Sequence, residues 1–296
     1  MNINGTFTYY VKKDGHVILD KDGGVTYKND VNITDDNLEY VKVNISSPDI
    51  FEKDLKKWKL KIDDNIKPTW WSKKHETEAW LTLDTCIMMY IIDGGEINEL
   101  KDRYIIAARN VKIENILGSS KIQFITGDSV IENMQDDSEI EHINNFVIIK
   151  NVKDNGRVKN MWNNSYILYM QNNSIIDNMW NNSRIKIIKD NVKIINMREQ
   201  SHVEIMHNNS NIINMEERSS VYLMAHNSII ENMNYISSVK IMEHNSVIKN
   251  MFDNSIVENM RHNSIIKNMK HNSIAINHYK EEIYMSNAKN YKLIGK

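Results

Sequence analysis

Six carboxylates stand close together near the middle of the chain, and paired carboxylates perform glycoside hydrolysis and general acid–base catalysis in many enzymes. Between residues 128 and 145 there is no Lys or Arg, and the acidic residues there are Asp128, Glu132, Asp136, Asp137, Glu139 and Glu141. We interpret this segment as a solvated acidic band. The alternatives are a site for a basic partner, formed by Asp136, Asp137, Glu139 and Glu141, and a catalytic pair.

Other residues that could bind a metal or act in catalysis are better explained by folding. His226, His244 and His262 recur at one constant spacing, so they predict a straight row, and a straight row does not converge on a cation. Residues 75–79 (HETEA) lack the second histidine of the zinc-protease pattern. Cys86, the only cysteine, lies in an apolar run typical of a buried, unreactive thiol. We therefore expect no catalysis, no metal and no cofactor.

A nine-residue repeat without insertions or deletions runs from about Asn110 to Asn277 and positions most of these residues. Its unit, Asn-Ser-x-Ile-x-Asn-Met-x-x, is clearest in Asn245–Asp253, Asn254–His262 and Asn263–His271. Position four is Ile or Val, position seven is Met or Ile, and position two is usually Ser. This alternation predicts a short strand in each unit, with positions four and seven in a core shared with neighbouring units.

Position six predicts the length of one coil, because from residue 164 it alternates between Asn and larger side chains. The same residue type returns in every second unit, which indicates two units per coil and about nine coils, or a parallel β-solenoid roughly 45 Å long. The asparagines should stack into a hydrogen-bonded ladder. Its expected members are Asn160, Asn178, Asn196, Asn214, Asn232, Asn250 and Asn268.

Residues 1–100 do not repeat, and we expect a small α+β domain that caps the solenoid and covers its unpaired edge. β-type composition predicts strands at Thr6–Val11, His16–Leu19 and Leu38–Ile45 and an apolar β-rich run at Leu81–Ile92. Helical spacing predicts a helix at Asp49–Leu60 and a second, short one at Ser72–Trp80. Residues 101–278 should form the mostly β solenoid, and residues 279–296 a C-terminal cap or tail.

Units such as Asn173–Asn181 (NSIIDNMWN) and Asn227–Tyr235 (NSIIENMNY) resemble the short Asn-rich nonapeptide β-solenoid repeats of uncharacterised bacterial and phage proteins. The resemblance covers more than half of the chain and implies the architecture, but little about activity, since solenoids host many functions. The Gly-Gly-x-Gly-x-Asp motif of calcium-loaded repeats and the six-residue period of acyltransferase β-helices are both missing.

Two surface features remain beyond what folding requires. Trp162 and Trp180 occupy position eight, two units apart, and Phe252 lies further along the same column, so we predict an exposed aromatic anchor for a protein partner. The second feature is an apolar series at position six. It is core if it faces inward and a surface for self-association or a partner if it faces outward, and its members are Tyr169, Ile187, Ile205, Leu223 and Ile241.

Composition narrows the function classes. The net charge of -2 gives no general argument for nucleic-acid binding, and no apolar run is long enough to span a membrane. One cysteine and no leader sequence predict a cytoplasmic protein. Our first hypothesis is a non-enzymatic protein-binding solenoid, and its composition and resemblance suggest a phage or mobile-element inhibitor of a host protein complex. A self-associating rod, as a homodimer, and a polysaccharide-acting enzyme are the alternatives.

Overall fold

The computed structural model describes residues 4–19, 40–62, 67–277 and 292–295. The chain forms two compact units, Met1–Ile92 and Asp93–Lys296. This division falls slightly before the boundary expected after residue 100, because a strand that pairs within the solenoid already begins at Glu96.

The first unit contains an antiparallel sheet of four strands in the order β2-β1-β3-β4. Their bounds are β1 Gly5–Lys12, β2 Val17–Leu19, β3 Tyr40–Ser47 and β4 Lys59–Ile62. Side chains alternate between buried and accessible along β1 and β3, so Phe7, Tyr9 and Val11 are buried in the core. The predicted strands are confirmed, except that residues 38 and 39 lie outside the described part of the chain.

The helix expected at Asp49–Leu60 is wrong. Only one turn of 3-10 helix forms, at Leu55–Lys57, and β4 follows at once. The carboxylates of Asp49 and Asp54 each accept a hydrogen bond from the backbone N–H two residues later, at 3.1 Å, which stabilises turns in competition with a helix. The apolar residues of this segment are nevertheless buried, since Trp58 is only 3% exposed.

The second helix, α1, is longer than expected and spans Lys73–Tyr90. The β-rich run predicted at Leu81–Ile92 is therefore wrong for most of its length, and only β5 (Ile91–Asp93) is extended. Helical spacing places Ala79, Leu83 and Cys86 on one buried face, and this burial outweighs the β-type composition. The burial of Cys86 is as expected.

The second unit is a parallel β-solenoid, as predicted, made of two sheets with five-residue strands in most coils. The odd sheet contains, in addition to β5, the strands β7 Tyr104–Arg109, β9 Lys121–Thr126, β11 Glu139–Ile143, β13 Arg157–Met161, β15 Ile175–Met179, β17 Lys193–Met197, β19 Asn211–Met215, β21 Ile229–Met233, β23 Val247–Met251 and β25 Ile265–Met269. The even sheet contains β6 Glu96–Lys101, β8 Lys112–Leu117, β10 Val130–Met134, β12 Ile148–Val152, β14 Tyr166–Met170, β16 Arg184–Ile188, β18 His202–Met206, β20 Ser220–Met224, β22 Ser238–Met242, β24 Ile256–Met260, β26 Ile274–Asn277 and β27 Lys292–Gly295.

From β6 to β24, each strand pairs in parallel with the strand two further along the chain, so one coil consists of two units. Asn196, for example, is the register partner of Asn214. The solenoid has about 10 coils, slightly more than the nine expected, because it begins before the recognisable repeat. Within the C-terminal segment expected as a cap or tail, β27 pairs with β26, and residues 278–291 lie outside the described part of the chain.

The core lies between the two sheets and follows the predicted positions. Position four and position seven are buried throughout the repeat; Ile176 and Met179 are both 0% exposed. The position-two serines are buried as well, and most donate their hydroxyl to the backbone oxygen three residues earlier, as Ser165 does to Trp162 at 2.7 Å. This bond satisfies a polar group that would otherwise destabilise the core.

The corners of the coils explain why Asn dominates positions nine and one. In many corners both residues have positive φ, as at Asn163 (49°) and Asn164 (60°). Among non-glycine residues, Asn is one of the few that tolerates this left-handed conformation, which matches a type I′ turn. The backbone N–H of Ser165 closes the turn by donating to the oxygen of Trp162 at 3.3 Å.

Candidate functional site

The acidic band is largely neutralised by the coils on either side of it. Lys121 lies 2.8 Å from Glu141, and Lys159 lies 3.0 Å from Glu139 and 3.1 Å from Glu141. Burial acts to raise the pKa of Glu141, but hydrogen bonds from both lysines hold it below its usual value. One lysine lies a full coil before Glu139 and the other a full coil after Glu141, which the linear charge pattern does not reveal.

Two further carboxylates of the band also accept hydrogen bonds. Asp136 accepts a hydrogen bond from the backbone N–H of Gly118 at 2.9 Å, and Asp137 accepts one from Asn155 at 2.9 Å. Glu132 and Glu141, tested as one possible catalytic pair of the band, do not face each other, because Glu132 lies on β10 of the even sheet and Glu141 on β11 of the odd sheet. The structure therefore does not bring them together as an acid–base pair.

Trp162 and Trp180 stack on neighbouring coils, as their spacing predicts, with ring centroids 5.7 Å apart and an interplanar angle of 23°. His142 continues the stack, at 5.5 Å from Trp162. Both indoles are half-buried, not exposed, since this stacking covers their faces. Both indole N–H groups are buried without a hydrogen-bond partner among the described residues. The two rings are thus less accessible than the sequence suggests.

Phe252 occupies the same corner column but is separated from the tryptophans by three coils. Arg198 and Glu216, which form an ion pair at 3.0 Å, occupy two of the intervening positions. Phe252 is half-buried, and the ammonium group of Lys270 lies 5.9 Å from its ring centroid. The three aromatic residues therefore do not form one continuous patch.

The apolar series at position six faces outward on the even sheet; we call it the apolar row. Tyr169 is 39% exposed, and the other four members are half-buried, so none belongs to the core. Each member is the register partner of the next, from Tyr169 on β14 to Ile241 on β22. Five members at about 4.8 Å per coil form a strip roughly 19 Å long.

Folding alone does not require apolar side chains in this row. On the even sheet itself, Asn115, Asn133 and Asn151 precede the row as a short hydrogen-bonded ladder, and Asn259 follows it. On the odd sheet, asparagines occupy the same position in seven successive coils, with amide bonds of 2.9–3.0 Å, as from Asn214 to Asn196. The even sheet thus replaces its ladder with apolar groups in five coils only.

Further exposed apolar groups lie beside the row. Tyr222 is 43% exposed on β20, and Phe146 (62%) and Ile148 (36%) lie one coil before Tyr169. A groove of about 650 Å³ at this end of the even sheet is lined by Phe146, Ile148, Tyr166, Arg184, His202 and Glu204. His202 shares a hydrogen bond of 2.8 Å with the Ser220 hydroxyl, and burial and then the nearby Arg184 lower its pKa.

The histidine row forms a column at a corner of the solenoid, as expected. His226 and His244 have ring centroids 4.8 Å apart, and His244 and His262 4.6 Å apart. The sequence interpretation did not consider Glu243, whose carboxylate oxygens lie 3.3 Å from His244 Nδ1 and 3.7 Å from His262 Nδ1. Glu243 also accepts a hydrogen bond of 2.6 Å from Arg261. A carboxylate thus faces two adjacent imidazoles.

Comparisons with known protein families, curated proteins and solved structures found no match. Within the described residues, no helix has both the length and the apolar character needed to cross a membrane.

Proposed function

We propose that this protein is a non-enzymatic protein-binding β-solenoid and that the partner docks on the apolar row of the even sheet. The observation that supports this is the local replacement of a hydrogen-bonded Asn ladder by five outward-facing apolar residues, flanked on both sides by Asn151 and Asn259. Exposed apolar patches on an otherwise polar surface mark interaction sites. A stiff parallel stack loses little conformational entropy on binding, which favours affinity.

The charges beside the row favour a partner other than a second copy of this chain. On the outward positions of β14 to β22, three side chains are basic (Arg184, Lys186 and Lys240) and one, Glu204, is acidic. In a two-fold dimer through this face, an excess of positive charge would meet itself. A partner segment that combines apolar residues with flanking carboxylates would match both the row and its charges.

Binding through the tryptophan pair and self-association as a rod are the alternatives to this proposal. A cytoplasmic location, and the role of a phage or mobile-element inhibitor of a host protein complex, are finer proposals supported only by composition and by the resemblance to Asn-rich nonapeptide repeats. They do not affect the choice of surface.

The structure supplies its own substitution for a test. Changing Ile187, Ile205 and Leu223 to Asn gives the even sheet the residue that the odd sheet carries at this position, so we expect the solenoid to fold. A displayed library of random peptides would be selected on the wild-type protein, with counter-selection on this triple variant. We expect the selected peptides to be apolar with Asp or Glu neighbours and to lose at least about tenfold in affinity for the triple variant.

The matched control is the double variant Trp162→Ala/Trp180→Ala, which should retain peptide binding. Retention by the triple variant combined with loss in the tryptophan variant would move the site to the aromatic corner and refute the row. Light scattering of the wild type and the triple variant tests self-association. A wild-type dimer that becomes monomeric in the triple variant would show that the row binds a second copy, contrary to the proposal.

A further inference from the structure

The corner that follows β22 and β24 brings together three potential metal ligands from two successive coils. Glu243 and His244 occupy positions eight and nine of one unit, and His262 occupies position nine one coil later. One potential donor atom from each residue, a ring nitrogen of each histidine and a carboxylate oxygen of Glu243, lies within 4.8 Å of the other two. The straight histidine row becomes convergent here because Glu243 reaches towards both rings.

The distances suit a small divalent cation. Two donor atoms bound to a tetrahedral zinc at about 2.0–2.1 Å lie roughly 3.4 Å apart. Glu243 Oε1 lies 3.3 Å from His244 Nδ1 and Glu243 Oε2 lies 3.7 Å from His262 Nδ1, so small side-chain rotations would bring one oxygen and both nitrogens to this spacing. We propose that Glu243, His244 and His262 bind a first-row transition-metal dication such as Zn²⁺. Two imidazoles and one carboxylate leave further coordination positions for water or for a group from a partner.

The corner fixes the two imidazoles before any cation arrives. Both histidines have positive φ, 51° at His244 and 52° at His262, and their rings stack at 4.6 Å with an interplanar angle of 25°. His244 Nδ1 is buried and makes no hydrogen bond within the described structure, although Glu243 is close by. In the neutral tautomer that carries its proton on Nε2, this nitrogen offers its lone pair to a cation.

Arg261 is the natural competitor for the site. Its guanidinium donates to Glu243 Oε2 at 2.6 Å, so a cation must either use Oε1 or displace this bond. Removing the guanidinium should therefore increase metal affinity, whereas removing a ligand should decrease it. A purely structural corner would show neither effect.

Asparagine is a suitable replacement for the histidines, because Asn208 occupies the same turn position in the same corner column with a similar φ of 54°. His244→Asn and His262→Asn should therefore fold normally. The control is His226→Asn, which has the same residue type, turn position and ring stacking but lies outside the three-ligand cluster. Gln replaces Glu243 and Arg261 in two further variants.

The experiment is titration of untagged protein with ZnCl₂ by calorimetry and with CoCl₂ by visible absorption, which reports the coordination geometry. We expect one Zn²⁺ per chain, a loss of more than about tenfold in affinity for His244→Asn, His262→Asn and Glu243→Gln, and a gain for Arg261→Gln. His226→Asn should bind as the wild type does. Absence of Zn²⁺ binding at millimolar concentration, or an equal loss in His226→Asn, would overturn the proposal. Peptide binding to the apolar row is a separate measurement, so either proposal can fail alone.

Discussion

The Asn ladder of the odd sheet contributes a definite share of stability, and replacing Asn214 by Leu measures it. Asn214 donates to Asn196 Oδ1 at 3.0 Å and accepts from Asn232 Nδ2 at 3.0 Å. At about 1 kcal/mol net for each bond, the variant should lose about 2 kcal/mol. For a unit of this size that corresponds to a fall in melting temperature of about 4–8 °C.

The magnitude depends on losing two bonds at once, so a variant without them is the proper control. Asn259 occupies the same unit position on the even sheet, but its register partner in the preceding coil is Ile241, and its amide donates to the backbone oxygen of Lys240 at 3.2 Å. We expect Asn259→Leu to lose clearly less stability than Asn214→Leu, because Asn259 makes no side-chain hydrogen bond to an asparagine of the preceding coil.

Urea denaturation followed by far-ultraviolet circular dichroism gives both free energies. Hydrogen exchange at the amides of β17, β19 and β21 shows whether the effect is local, since repeat proteins can unfold in parts. Equal losses in the two variants, or an unchanged stability for Asn214→Leu, would refute the view that ladder bonds stabilise the stack.

Two further predictions concern the corners and the titrating groups. Tyr235 has a φ of 57°, a left-handed conformation that asparagines adopt at the same unit position elsewhere. Tyr235→Asn should therefore raise the free energy of unfolding, measured by urea denaturation, by roughly 1 kcal/mol. The control Tyr222→Asn, on strand β20, should not raise it. Burial lowers the pKa of His142 and of His202, so the unfolded chain binds protons that the folded chain does not, and stability should fall as the pH drops through about 6.5. His142→Asn should reduce this fall because the imidazole that takes up the proton is gone, and the variant should keep its structure because Asn can still accept the bond that Asn160 makes at 3.3 Å. An identical pH dependence in the variant would contradict the assignment.

The coil could be predicted from the sequence because one physical constraint acts on every unit. Burial of Ile176 and Met179, and of their counterparts in each unit, repeats with the period of the backbone, and the alternation at position six fixes two units per coil. The first unit has no repeat, so the local preference of each segment for a turn, a helix or a strand cannot be checked against equivalent segments. There Asp49 and Asp54 favour turns over the expected helix, and burial of Leu83 and Cys86 extends α1 through a run that composition assigned to a strand.

The charge pairing and exposure of the solenoid's surface residues are harder to predict, because the neighbours of each residue in space lie two units away along the chain. The segment from Asp128 to Glu141 is strongly acidic when read along the chain, yet Lys121 and Lys159 flank it in the stack. The repeat predicts Trp162 and Trp180 on adjacent coils, but their stacking also leaves them only partly exposed. Reading each residue together with its counterparts one coil before and one coil after would have found both effects.

Residues at equivalent positions in successive coils form columns, and some of these columns stabilise the stack while others do not. A column serves the stack when each member bonds to or packs on its copies, as the odd-sheet asparagines do. The apolar row departs from this pattern because the asparagines before and after it show that a polar side chain fits the same position. Glu243 also departs from it, since it forms its close contacts with neighbouring histidines and Arg261. Because backbone pairing repeats every 18 residues from β8 to β26, such local departures from the repeat are where selection for binding can act without cost to the fold.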